Sequence, residues 1–214
     1  MRDRPEDQDG QDDRGADREC RSAHQDGFGR CPYPGDAYLQ GSFEGCEPYD
    51  EVGPFTGVTD WSLLEPAFLD AHYCALGFFS EAGFRFFLPA YMIADVRRQL
   101  LTADPASYLT HGFSDQSHEE PQPDGTTVLR RWGQSLLLNP RRYGAITWYD
   151  YARYRLSVFP REEATAIVAY LSWKRDAETG DERARQTIAA ALSAFWVDRA
   201  ANAPSAETLA PGST

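Results

Sequence analysis

Lysine is almost missing from this sequence: Lys174 is the only one, and every other basic side chain is arginine. No apolar run approaches the ~20 residues that a helical bilayer span requires, so no membrane role is expected. The opening "MRDRPEDQDGQDDRGADREC" lacks the apolar stretch of a secretory signal, and a cytoplasmic location is the expectation. Cysteine is sparse. Cys20, Cys31, Cys46 and Cys74 form no C-x-x-C and match no zinc spacing, so they read as unconnected thiols and no metal is expected. The sequence also lacks G-x-S-x-G, H-E-x-x-H, G-x-x-x-x-G-K-[ST] and G-x-G-x-x-G. No motif fixes a reaction, and no cofactor is implied.

What is present suffices for one domain with a real core: 214 residues, 42% apolar and 25% charged. The net charge of −12 is unevenly spread. Residues 1–60 hold 15 acidic and 6 basic side chains, whereas the remainder is close to balance. The acidity therefore belongs mainly to the front of the chain. It disfavours nucleic acid as a partner without excluding an anionic ligand on the folded part.

Residues 1–25 are charged and poor in large apolar side chains, too little to offset the entropy of ordering, and read as a disordered acidic tail. Residues 26–60 mix aromatics with glycine, proline and acids, an irregular segment packed on the domain by its rings. Residues 61–201 read as a helix-dominated domain, and 202–214 as a second disordered tail. Asp60 is the expected N-cap of a turn at "WSLL", and Pro66 the first residue of a helix with Leu69, Tyr73 and Leu76 on one face. Ser80 caps the next helix. Pro89 should end it at Leu88 and open another, so that the phenylalanines of "FFSEAGFRFFLPAY" fill a corner between two short helices. Residues 103–126 read as loop, and "TTVLRRWGQSLLL" as a hairpin about its Gly-Gln pair. "TWYDYARYRL" reads as a short helix and "SVF" as extended. "REEATAIVAYLSWKRD" is an amphipathic helix with Ala164, Ile167, Val168 and Leu171 inward, and Ile188, Leu192, Phe195 and Trp196 mark the inner face of a last one. The fold class is thus mainly α (α+β): a single helical domain with a small β-hairpin and disordered termini.

Seven arginines (130, 131, 141, 142, 153, 155 and 161) share a stretch with one acid, Asp150, and seven interleaved aromatics, Trp148 among them. Arginine beside aromatic rings can grip an acidic partner or phosphate; it can equally pair with the chain's own carboxylates. Arg85, set inside "FRFF", needs a partner if buried, either an acid of the chain or a bound anion. His72 and Cys74 lie two apart, which on a helix points them in different directions. His111, in "LTHGF", precedes a glycine in an expected loop, where functional histidines are often found. Two readings result. One is a non-enzymatic binding protein that meets an unknown protein partner or anionic ligand through Arg85, His111, Arg141, Arg142, Trp148 and Asp150. The other is an enzyme on an anionic small molecule, with Arg85, Arg141 or Arg142 supplying charge and His111 or Asp150 acting as base.

"ALGFFSEAGFRFFLPAYMIADVRRQL", with "YPGD" before it and "LLNPRRYGAITWYDYARYRLSVFPREEATAIVAYL" after it, resembles an uncharacterised bacterial family, a domain of unknown function with an F-R-[FY]-[FY]-L-P-A-Y core. The likeness spans roughly residues 28–200 and implies no activity, cofactor or catalytic residue. The family tends to place Thr where Pro160 stands, so a capping hydroxyl is missing before "REEA". Limited proteolysis should trim the first 25 residues and leave a resistant remainder; resistance of that segment in the isolated protein would overturn the reading of the tail.

Overall fold

A computed structural model describes residues 28–29, 31–113, 117–131 and 147–209. The expectations for residues 1–25 lie outside that range. Short elements come first: a 3-10 turn at Asp36–Tyr38, helix α1 (Glu47–Val52), and 3-10 turns at Gly53–Phe55 and Trp61–Leu63. The Asp60 carboxylate accepts from the Ser62 amide and so caps the last of these. Helices α2 (Pro66–Ala71) and α3 (Ala75–Phe78) follow, then the long α4 (Glu81–Val96) and the short α5 (Pro105–Thr110). Strands β1 (Ser117–Pro121) and β2 (Thr127–Arg131) pair antiparallel. The chain closes with α6 (Trp148–Leu156), α7 (Arg161–Ala177), α8 (Glu182–Ala191), a π-helical turn (Leu192–Trp196), α9 (Val197–Asn202) and α10 (Ala206–Leu209).

Helix α4 is the centre. It touches the Trp61–Leu63 turn, α2, α3, α5 and α7. Eleven of its sixteen residues are buried, on all sides of the helix. Ser80 starts it as expected, its hydroxyl accepting from the Gly83 amide. The expected break at Leu88 is absent: α4 runs on through Pro89. Proline inside a helix costs about 3 kcal/mol, but each fully buried Phe or Leu returns about 1.5–3 kcal/mol. Phe84, Phe86, Phe87 and Leu88 before the proline, and Tyr91 and Met92 after it, are all buried. Burial outweighs the local penalty, so the phenylalanines belong to one continuous helix rather than to a joint between two.

The front segment is laid over the start of α4 by backbone contacts. The Ser80 amide donates to the Leu39 carbonyl at 2.7 Å, and the Gly41 amide to that of Phe78 at 2.8 Å. Gly83 has no side chain because none fits: a Cβ there would lie 2.7 Å from the Leu39 carbonyl oxygen. Phe55 then inserts its ring among Phe68, Phe79 and Phe87, with centroids 4.8–4.9 Å apart. A second aromatic group joins the ends of the domain, with Phe159 between Phe28, Phe84 and Trp196. The Trp196 indole N–H finds the Leu109 carbonyl at 2.8 Å.

Other expectations are corrected. The helix from Pro66 is split at His72, whose backbone leaves the helical region (φ −118, ψ 47) and whose carbonyl accepts from the Tyr91 hydroxyl at 2.8 Å. Tyr73 therefore faces outward, 45% exposed, instead of joining Leu69 and Leu76 in the core. The 103–126 segment contains α5, opened by Pro105 after Asp104. The hairpin turns at Gln122–Thr126, with Gly125 at φ 84, so β1 comes from the segment read as loop. The Gly-Gln pair proposed for the turn lies outside the described residues. Ser157 and Val158 form a turn rather than an extended run. Residues 203–209, read as part of a frayed end, fold back on α7: the Arg161 amide donates to the Pro204 carbonyl and the Ala206 amide to the Glu162 carboxylate.

Phe87→Ala should cost about 3–5 kcal/mol, the range for a fully buried Phe. Chemical denaturation checks this, and a loss near zero would remove Phe87 from the core.

Candidate functional site

The candidate residues fall in two places. The first is the contact of α4 with α7. Arg85 points from α4 to Glu163 in the first turn of α7 and bonds both carboxylate oxygens, Nε to Oε2 and Nη2 to Oε1, each at 2.7 Å. Glu163 is 1% exposed and Arg85 21%. Burial raises the Glu163 pKa, and Arg85 pulls it back only in part. Burial works against the charge of Arg85 too, but the hydrogen bond and charge of Glu163 prevail and its pKa rises. Cys31 stands beside the pair. Burial pushes its thiol up to about 12, Glu163 adding to the shift and Arg85 opposing it. A thiol that weakly acidic supplies no thiolate at neutral pH. This group ties α4 to α7, with both carboxylate oxygens of Glu163 taken up by Arg85.

The second place is α6 and the loop that crosses it. Thr147 and Asp150 form a reciprocal cap: the Thr147 hydroxyl accepts from the Asp150 amide, and the Asp150 carboxylate accepts from the Thr147 amide at 3.1 Å. Asp150 is thereby committed to the start of the helix. Gly112, at φ 90, lets the loop after α5 lie on α6, since a Cβ there would sit 2.5 Å from the Trp148 carbonyl oxygen. This brings His111 edge-on to Trp148, ring centroids 4.7 Å apart, with Tyr151 next to Trp148 at 5.8 Å. Desolvation lowers the His111 pKa and the charge of Arg155 lowers it further, so the imidazole is neutral at pH 7. Arg155 turns inward, over the Phe84 ring at 4.8 Å, and donates to the Leu76 carbonyl. Arg161 is tied to the Ala203 carbonyl. Arg153 stays exposed, its guanidinium 5.8 Å from the centre of the Tyr149 ring, with no carboxylate partner among the described residues. Tyr154, 53% exposed, follows it.

Arg85, His111, Trp148 and Asp150 thus do not converge. His111 and Trp148 meet, Asp150 caps their helix, and Arg85 belongs to the other contact. Arg141 and Arg142 lie outside the described residues. Sequence reasoning did not identify Glu163, the partner of Arg85. The signal was available: Glu163 lies one helical turn before Ile167, on the same stripe as Tyr170, so its carboxylate had to face the core. Among the described residues no group of three or more His, Cys, Asp or Glu side chains is arranged to hold a metal. No described helix is long and apolar enough to cross a membrane.

The architecture and these contacts define a mainly helical domain. The chain belongs to the family of unknown function DUF6714, whose model matches residues 42–200. No curated protein matches the chain, and no solved structure does.

Removing one member of a buried ion pair strands the other. Arg85→Met or Glu163→Leu alone should therefore cost about 3–5 kcal/mol, whereas the double substitution should be near neutral or stabilising. A denaturation double-mutant cycle measures this. Additive losses would show that the two side chains act independently.

Proposed function

We propose that the protein is a non-enzymatic binding protein that meets an acidic partner through α6 and the arginine-rich stretch before it. The observation that supports this reading is Arg153: it is exposed, lies over Tyr149, and has no carboxylate to answer its charge among the described residues. A guanidinium backed by an aromatic ring is pre-organised for a carboxylate or phosphate. Tyr154 beside it adds exposed aromatic area of the kind enriched at interface anchors. Catalysis finds less support. Arg85 is bonded to Glu163 and Asp150 caps α6, so neither meets His111, and the charged neighbour of His111, Arg155, is bonded to the Leu76 carbonyl.

Arg141 and Arg142 add to the positive charge of the stretch that precedes α6 in sequence. Affinity capture from the native host checks this reading. Arg153→Ala with Tyr154→Ala, and separately Arg141→Ala with Arg142→Ala, should reduce partner recovery and its salt sensitivity. Exposed charges contribute about 0–1 kcal/mol to folding, so the melting temperature should barely move. Earlier melting with unchanged capture would assign Arg141 and Arg142 to internal pairing. Unchanged capture in both pairs would end the proposal.

A further inference from the structure

A cleft of about 470 Å³ lies between α5, the end of α7 and the start of α8. Its size falls within the range of small-molecule sites. None of the residues of the α6 surface lines it.

The lining is specialised in which hydrogen-bonding groups it leaves over. The Ser107 hydroxyl donates to the Asp104 carbonyl at 2.7 Å, and the Thr110 hydroxyl to the Ala106 carbonyl at 2.9 Å. Both protons are committed to the helix, so these oxygens can only accept. Thr110 is 4% exposed, a polar group lining the cleft with acceptor capacity left over. Three carboxylates join them. One Glu178 oxygen accepts the Gly180 and Asp181 amides, and one Asp181 oxygen accepts the Arg183 and Ala184 amides. The other oxygen of each has no hydrogen-bond partner among the described residues. Asp104 stands at the mouth, 54% exposed and 3.8 Å from Lys174, beyond hydrogen-bond range. The protein around it pushes its pKa up despite that exposure, Lys174 pulls it down, and Asp95 pushes it up again.

The positive side is weaker. Lys174 is held by both oxygens of Asp95, at 2.7 and 2.9 Å, and the Tyr170 hydroxyl completes that group. Its charge is answered before any ligand arrives. Arg183 is the other cation of the lining, which carries three acids. Ala106, Ala184 and Ile188 provide an apolar wall. The cleft therefore offers acceptors, net negative charge and a short hydrocarbon surface. We propose that it binds a small organic cation, an amine or guanidine carried on a short alkyl chain, which would supply the donors that these groups lack.

Calorimetric titration of the full chain with agmatine, which carries both cationic groups on a four-carbon chain, tests this. Butyrate serves as the anionic counterpart. Agmatine should bind and butyrate should not. Asp104→Asn should weaken agmatine by about tenfold, the equivalent of one charge-assisted hydrogen bond, and Ser107→Ala should weaken it less. Circular dichroism of the variants establishes that they are folded. Glu44→Gln, an exposed acid of the front segment, should leave binding unchanged. Absence of agmatine binding at millimolar concentration overturns the proposal. So does butyrate binding equally well, or an equal loss in Asp104→Asn and Glu44→Gln, which would reduce the effect to the general charge of the chain.

Discussion

The meeting of α4 with α7 through the Arg85–Glu163 fork is the constraint on which the rest of the arrangement depends. A carboxylate at 1% exposure is tolerable only if its charge is met at close range and its oxygens are bonded. Both oxygens of Glu163 are bonded by the Arg85 guanidinium. Sliding α7 along α4 by a helical turn, about 5.4 Å, would leave both charges buried and alone. Apolar contacts elsewhere in the core set the depth of packing; this pair sets its register. Once the register is fixed, Tyr170 and Lys174 further along α7 come level with Asp95 at the far end of α4. The two polar contacts, one at each end of α4, clamp the same pair of helices.

The helices were legible wherever capping chemistry and periodicity agreed. Asp60 and Ser80 announce their elements by side chains that accept from the following turn. The stripe of Ala164, Ile167 and Leu171 on α7 is what a helix against a core requires. Pro89 misled because the local rule counts only the missing amide and the steric clash. It is blind to how much apolar surface the two halves of α4 bury together. The pairing of β1 with β2 was missed for a different reason. Asp124-Gly125 is a strong turn pair, but its flanks, "SHEEP" and "TVLRR", do not alternate cleanly and so gave no strand period. His72 interrupts α2 through a hydrogen bond from Tyr91, a contact between distant positions that no periodicity contains.

The candidate site was legible in composition and illegible in geometry. The excess of arginine between residues 130 and 161 is plain in the chain, but arginine has several ways of spending its charge. Arg155 bonds a carbonyl and covers a ring, Arg161 bonds a carbonyl of the returning tail, and Arg153 covers a ring from the exposed side of α6. Arg153 and Arg155 stand two apart on α6 and differ in which way that helix turns them, while Arg161 opens α7. Asp150 shows the same limit. As the lone acid in the stretch it looked like a base, yet its place three residues after Thr147 makes it a capping residue.

The start of α7 depends on the far end of the chain. Pro160 provides no capping side chain. The Arg161 amide is satisfied by the carbonyl of Pro204, its guanidinium by that of Ala203, and the Glu162 carboxylate by the amide of Ala206. A helix that carries half of the register-setting ion pair thus borrows its terminus from residues made after α8 and α9. During synthesis, α7 can form its turns as soon as it leaves the ribosome, but its first turn stays unsealed until the last part of the domain has followed. The order of translation and the order of completion run in opposite directions along this segment, so the domain closes only when nearly all of it has been made.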